Sequence, residues 1–81
     1  MNDGEILQRI NELVSEEHTL DHQAEHGGGL SDEERTRLKA LEVNLDQCWD
    51  LLRQRRARRQ AGLNPDDAAT RPGDTVERYL A

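Results

Sequence analysis

Two groups of side chains have the types and spacing to do chemistry. His18, His22 and His26 recur every four residues and stack along one side of any helix that carries them, beside Asp21 and Glu25. Imidazoles at i and i+4 can share a divalent metal. Here no further ligand sits at a fixed spacing and the chain has a single cysteine, so the expectation is a solvated polar face and no metal. A general base needs a nucleophile or a substrate pocket beside it. The sequence offers neither, so no catalytic residue and no cofactor are expected. The second group is Arg53, Arg55, Arg56, Arg58 and Arg59, a dense local positive field suited to phosphates or to an acidic protein surface. Its plainer role is to complement Asp3, Glu5 and Glu12 across a helical hairpin. Readers of single-stranded RNA interleave aromatic side chains for stacking. Trp49 stands one turn away and is expected to be buried, so charge complementarity is the preferred reading and nucleic acid the runner-up.

The elements that position these groups follow from apolar spacing. Ile6, Leu7, Ile10, Leu13, Val14, Leu20 and Ala24 fall along one side of a helix over residues 3–25. Gly27, Gly28 and Gly29 then permit a reversal, with a hinge over 26–31. Ser31 and Glu34 have capping-box spacing and open a second helix over 32–61, and Gly62 suits the position just past its end. Within it Leu38, Leu41, Leu45, Cys48 and Leu52 alternate in steps of three and four, the pattern of a coiled-coil seam.

Two helices joined by a short glycine loop fold back antiparallel, and a reversal near Gly29 pairs residues whose numbers sum to about 58. Ile6 then faces Leu52, Ile10 faces Cys48, Leu13 faces Leu45 and Leu20 faces Leu38. Glu17, opposite Leu41, is the discordant member. Leu7, Val14, Trp49 and Leu51 flank the seam on rows that one partner helix does not cover. Residues 1–62 are therefore read as an all-α antiparallel hairpin that dimerises into a four-helix bundle. Residues 63–81 contain the breakers Asn64-Pro65-Asp66-Asp67 and Arg71-Pro72-Gly73 and read as a mobile tail. A short helical turn over 74–80, capped by Asp74, groups Val76, Tyr79 and Leu80 as a tail that docks on its own bundle or frays, or as a short linear motif that inserts into a partner groove.

Composition agrees with solvated helices: 33% of residues are hydrophobic, 35% are charged and there is no phenylalanine. Residues 1–34 carry a net −9, residues 35–60 a net +5 and residues 61–81 a net −2. A hairpin with this distribution has an acidic tip at the hinge and a basic root at the open end. No apolar run is long enough to span a membrane, the acidic start lacks signal-peptide features, and one cysteine allows no internal disulfide. A cytoplasmic protein without membrane contact is the expectation, with Cys48 a small buried hydrophobe.

The segment from Leu45 to Arg59, centred on Trp49, resembles the hallmark of a family of short actinobacterial proteins of unknown function. Glu16-Glu17-His18 before Leu20, and Arg71-Pro72 with Val76, Tyr79 and Leu80, resemble that family as well. The resemblance implies a shared fold, and no reaction, cofactor or catalytic residue. The sequence thus predicts a non-enzymatic helical module that self-associates and binds a protein partner. The alternative is an adaptor that holds RNA or another anionic partner through Arg53–Arg59.

Overall fold

The computed structural model describes residues 1–80, with side chains described for residues 1–78. Helix α1 spans Asp3–His26 and helix α2 spans Asp32–Gln60. Both starts are closed by reciprocal caps. The Glu5 N–H donates to Asn2 Oδ1 at 2.8 Å and the Asn2 N–H to Glu5 Oε1 at 3.0 Å. Ser31 and Glu34 repeat the exchange at 3.1 and 2.9 Å, so each pair satisfies two donors that a helix start otherwise leaves open. Between the helices Gly28 and Gly29 take φ of 84° and 103°, which side chains with a Cβ rarely adopt. At the far end of α2 the Leu63 N–H bonds the Arg58 carbonyl at 2.8 Å and the Gly62 N–H bonds the Arg59 carbonyl at 3.2 Å. With Gly62 at φ 75° this is a Schellman motif, and it turns the chain back along α2.

The hairpin core has two parts. Ile6, Ile10 and Leu51 form the root cluster, with Val14, Leu45, Cys48, Leu52 and Ala68 packed around it. Leu13, Leu20 and Leu41 form the tip cluster, with Leu30, Leu38, Leu45 and Cys48 around it. The grouping agrees with the antiparallel register. The depth of burial differs from a simple seam. Leu51, assigned from sequence to a wet flank, is buried, while Leu52 is half-buried. The reason is a third layer.

In place of the mobile tail that the breakers predict, residues 63–80 lie along α2. A 3-10 turn over Pro65–Asp67 is followed by an extended run and by helix α3, Gly73–Leu80. Gln54 Nε2 donates to the Ala69 carbonyl at 2.8 Å and Gln47 Nε2 to the Arg71 carbonyl at 3.1 Å. The side chains of α2 therefore stand in for the partners that an irregular backbone would find in water. Ala68 packs against the root cluster, which contains Leu51, and Val76 is fully buried. Helix α3 begins one residue before the Asp74 cap that its sequence predicts, because the Pro72 carbonyl accepts the Val76 N–H at 3.2 Å. The side chains of Tyr79 and Leu80 lie outside the described residues. Gly73 is pressed on α2 so closely that a Cβ there would stand 2.5 Å from Val43 Cγ1.

Two outcomes follow from this packing. Leu13→Ala and Leu41→Ala each empty a fully buried site and should cost about 2–5 kcal/mol in urea unfolding. Gly73→Ala should undock α3, raising amide exchange at Val76 while leaving α1 protected, and adding Val43→Ala should restore protection.

Candidate functional site

At the open end of the hairpin two α2 arginines converge on the first residue of α1. Arg55 Nε meets Asp3 Oδ1 at 2.5 Å, and Arg59 Nη2 meets Asp3 Oδ2 at 2.9 Å. Arg55 also donates through Nη1 to Asp66 Oδ1 at 3.0 Å and to the Pro65 carbonyl at 3.2 Å. Asn64 holds that turn by accepting the Asp66 N–H at 3.0 Å. Arg55 is only 6% exposed, so one guanidinium joins α1, α2 and the tail in a largely dry position. Its neighbour Asp50, 5% exposed, accepts from Gln54 Nε2 at 2.8 Å and pairs with Arg71 Nε at 3.2 Å.

These bonds divide the arginine run. Arg55 and Arg59 complement α1, through Asp3 rather than through Glu5 or Glu12. Glu5 serves the N-terminal cap and Glu12 pairs with Arg9 at 3.4 Å. Arg53, Arg56 and Arg58 make no ion pair among the described residues. Arg53, Arg56 and Arg59 instead rim a cleft of about 350 Å³ with Asp3, and Leu7, Trp49 and Leu52 supply its apolar lining. Arg58 stands apart from it.

Trp49 is 46% exposed and Leu7 45% exposed. The sequence expectation that Trp49 is buried is therefore corrected. α1 covers one side of α2 and the tail covers another, and Trp49 faces the gap between them. Of the remaining seam and flank residues, Ile6, Ile10, Leu13, Leu20, Leu41 and Leu51 are buried, while Val14, Leu38, Leu45, Cys48 and Leu52 are half-buried. Burial pushes the Cys48 thiol above its ordinary value, which fits an inert packing role. Asp50, Gln47 and Gln54 escape a reading built on apolar spacing. Their signal is polar residues recurring at three- and four-residue steps on one α2 face, opposite a tail whose carbonyls need donors.

The histidines remain on the surface near the tip. His18 and His22 line a wide, open groove, and the His22 and His26 rings lie 4.5 Å apart. Among the described residues no three His, Cys, Asp or Glu side chains are grouped as metal ligands.

The fold and the root cleft together define a small all-α hairpin strapped by its own tail, with a partly apolar cleft rimmed by arginines at its open end. The chain belongs to the family described as "Protein of unknown function (DUF2630)", which matches residues 2–81. It is 53% identical over 77 residues to an uncharacterized protein of Mycobacterium bovis, covering 95% of this chain and 88% of that one. An uncharacterized protein of Mycobacterium tuberculosis H37Rv is similar to the same extent. These relatives agree with the actinobacterial family that the tryptophan-centred segment resembles. No solved structure matches the chain.

The ion pairs set a pH dependence. Hydrogen bonds from Arg55 and then Arg59 hold Asp3 below its ordinary 3.8. Arg37 does the same to Glu16, and the Ser31 cap to Glu34, each from 4.5. For a carboxylate lowered by folding, the stabilisation is complete above the unfolded value and is lost as pH falls through the folded one. Thermal stability should therefore be level above about pH 5 and decline below about pH 4. Asp3→Asn should lower stability at neutral pH and flatten that acid limb in melts followed by circular dichroism. Arg55→Gln should free the tail, read as new proteolytic cleavage within residues 63–72, whereas Arg53→Gln should not.

Proposed function

We propose that this chain is a non-enzymatic cytoplasmic interaction module whose contact surface is the root cleft, used for self-association and for binding a protein partner. One observation carries the reading. Trp49 and Leu7 stand nearly half exposed beside Arg53 and Arg56, whose charges have no ion pair among the described residues. Tryptophan and arginine together are the side chains that most often dominate binding energy at protein interfaces. Covering the exposed half of Trp49 would contribute on the order of 2 kcal/mol from apolar area alone. Desolvating an unpaired arginine is costly unless a partner supplies acceptors, so the surface selects an occupant with both apolar and acidic groups. No helix among the described residues is long and apolar enough to cross a membrane.

RNA binding is the second reading, favoured by the exposure of Trp49 next to guanidiniums with no ion pair among the described residues, the arrangement that stacks and neutralises a single strand. Pull-down from native lysate with and without nuclease separates the two. Nuclease-resistant capture should be abolished by Trp49→Ser and by Leu7→Ser, with helicity unchanged. RNA binding to the parent, if it occurred through Arg53, Arg56 and Arg58, would weaken with salt at a log–log slope of about 2. Such binding at physiological ionic strength would overturn the protein-partner reading.

A further inference from the structure

Helix α2 has three sides. Leu38, Leu41, Leu45, Cys48 and Leu52 turn towards α1, and Val43, Gln47, Asp50 and Gln54 turn towards the tail. The third side is a stripe of Glu42, Asp46, Trp49, Arg53 and Arg56, spaced at four, three, four and three residues. On a helix these fall within an arc of about 80° and span about 21 Å. Four of the five are exposed and Asp46 is half-buried. None makes an ion pair among the described residues, although Lys39 lies near enough to Glu42 and Asp46 to feel their charge.

The order of charges along this stripe is the informative part. Two acids precede Trp49 and two arginines follow it at nearly mirrored spacing. A helix carrying the same stripe in the opposite direction would place Asp46 against Arg53 and Glu42 against Arg56, with the two tryptophans meeting at the centre. We propose that the occupant of this face is a second copy of the chain, packed with α2 antiparallel to α2 about a two-fold axis through Trp49. The proposal rests on the reading of the root cleft as a contact surface and specifies what fills it.

The two-fold generates each ion pair twice, the self-complementarity that an isologous interface requires. A parallel arrangement would set arginine on arginine and acid on acid. Leu7 and Leu52, beside Trp49 in the cleft, extend the apolar centre, so the charges ring a hydrophobic middle as at other specific interfaces. Alternative occupants fit less well. A nucleic-acid strand along the stripe would bring its phosphates against Glu42 and Asp46, and a uniformly acidic helix would meet the same repulsion.

The test uses charge swaps in the full chain, read by sedimentation equilibrium. One variant carries Arg53→Glu and Arg56→Glu, the other Glu42→Arg and Asp46→Arg. The parent should dimerise at micromolar concentration, with Trp49 emission moving to shorter wavelength on association and affinity falling as salt rises. Each variant alone should lose at least about tenfold in self-affinity, and an equimolar mixture should form a one-to-one heterodimer. Circular dichroism checks that both variants fold. Should either fail to fold, the parent's concentration-dependent Trp49 emission still decides. A parent that stays monomeric at high concentration, with Trp49 open to quenchers, overturns the proposal, as do variants that each self-associate as well as the parent. So does an RNA oligonucleotide that quenches Trp49 in a monomeric parent. Protein capture by a monomeric parent, still lost on Trp49→Ser, would overturn the second copy alone and leave the contact surface standing.

Discussion

Arg55 is the hub on which the arrangement depends. A guanidinium has several donors in a rigid planar fork, and here they reach Asp3 on α1 and both Asp66 and the Pro65 carbonyl on the tail. Removing such a charge from water is unfavourable unless its donors are satisfied. The position is therefore stable only when three segments are in place together. That requirement links the register of the hairpin to the docking of the tail. It also brings Ala68 to the root cluster, where Leu51 would otherwise face solvent.

The same hub decides which charges remain for other purposes. Asp3 takes up two of the five clustered arginines, and Asp50 holds Arg71 beneath the tail. With one flank given to α1 and another to residues 63–80, helix α2 keeps an open side. That side carries Trp49, acids before it and arginines after it. That face is thus a remainder, defined by what packing among the described residues does not use.

The two ends of the 51 Å molecule are held by different contacts. The root is cross-linked by Arg55, Arg59 and Asp50 and closed by the Schellman turn at Gly62. The tip is packed by Leu13, Leu20 and Leu41 with Leu30 and Leu38 around them, and the bidentate pair between Arg37 and Glu16 at 2.8 and 2.7 Å lies outside them. Both partners of that pair are nearly half exposed, and the glycine hinge adds no side-chain packing. Local opening should therefore start at the hinge and leave the root intact.

Much of the architecture was legible in the residues. Apolar steps of three and four, the Ser31-to-Glu34 spacing and the glycine triplet define two helices, their caps and an antiparallel reversal, because each is a local rule acting within a few residues. The register followed from pairing two such patterns about the hinge. The resting place of the tail and the exposure of Trp49 within the single chain were not legible. The tail is held by polar bonds from Gln47, Gln54 and Arg55 to backbone carbonyls 10 to 24 residues away, together with Ala68 and Val76, two apolar residues too far apart to form a local pattern. Nothing local marks those partners. The sequence by itself determined that the chain makes a charged, two-helix hairpin with an arginine-rich root. Only tertiary structure decided which arginines are consumed, which leucine is covered and which face of α2 stays open, because each depends on where a distant segment comes to rest.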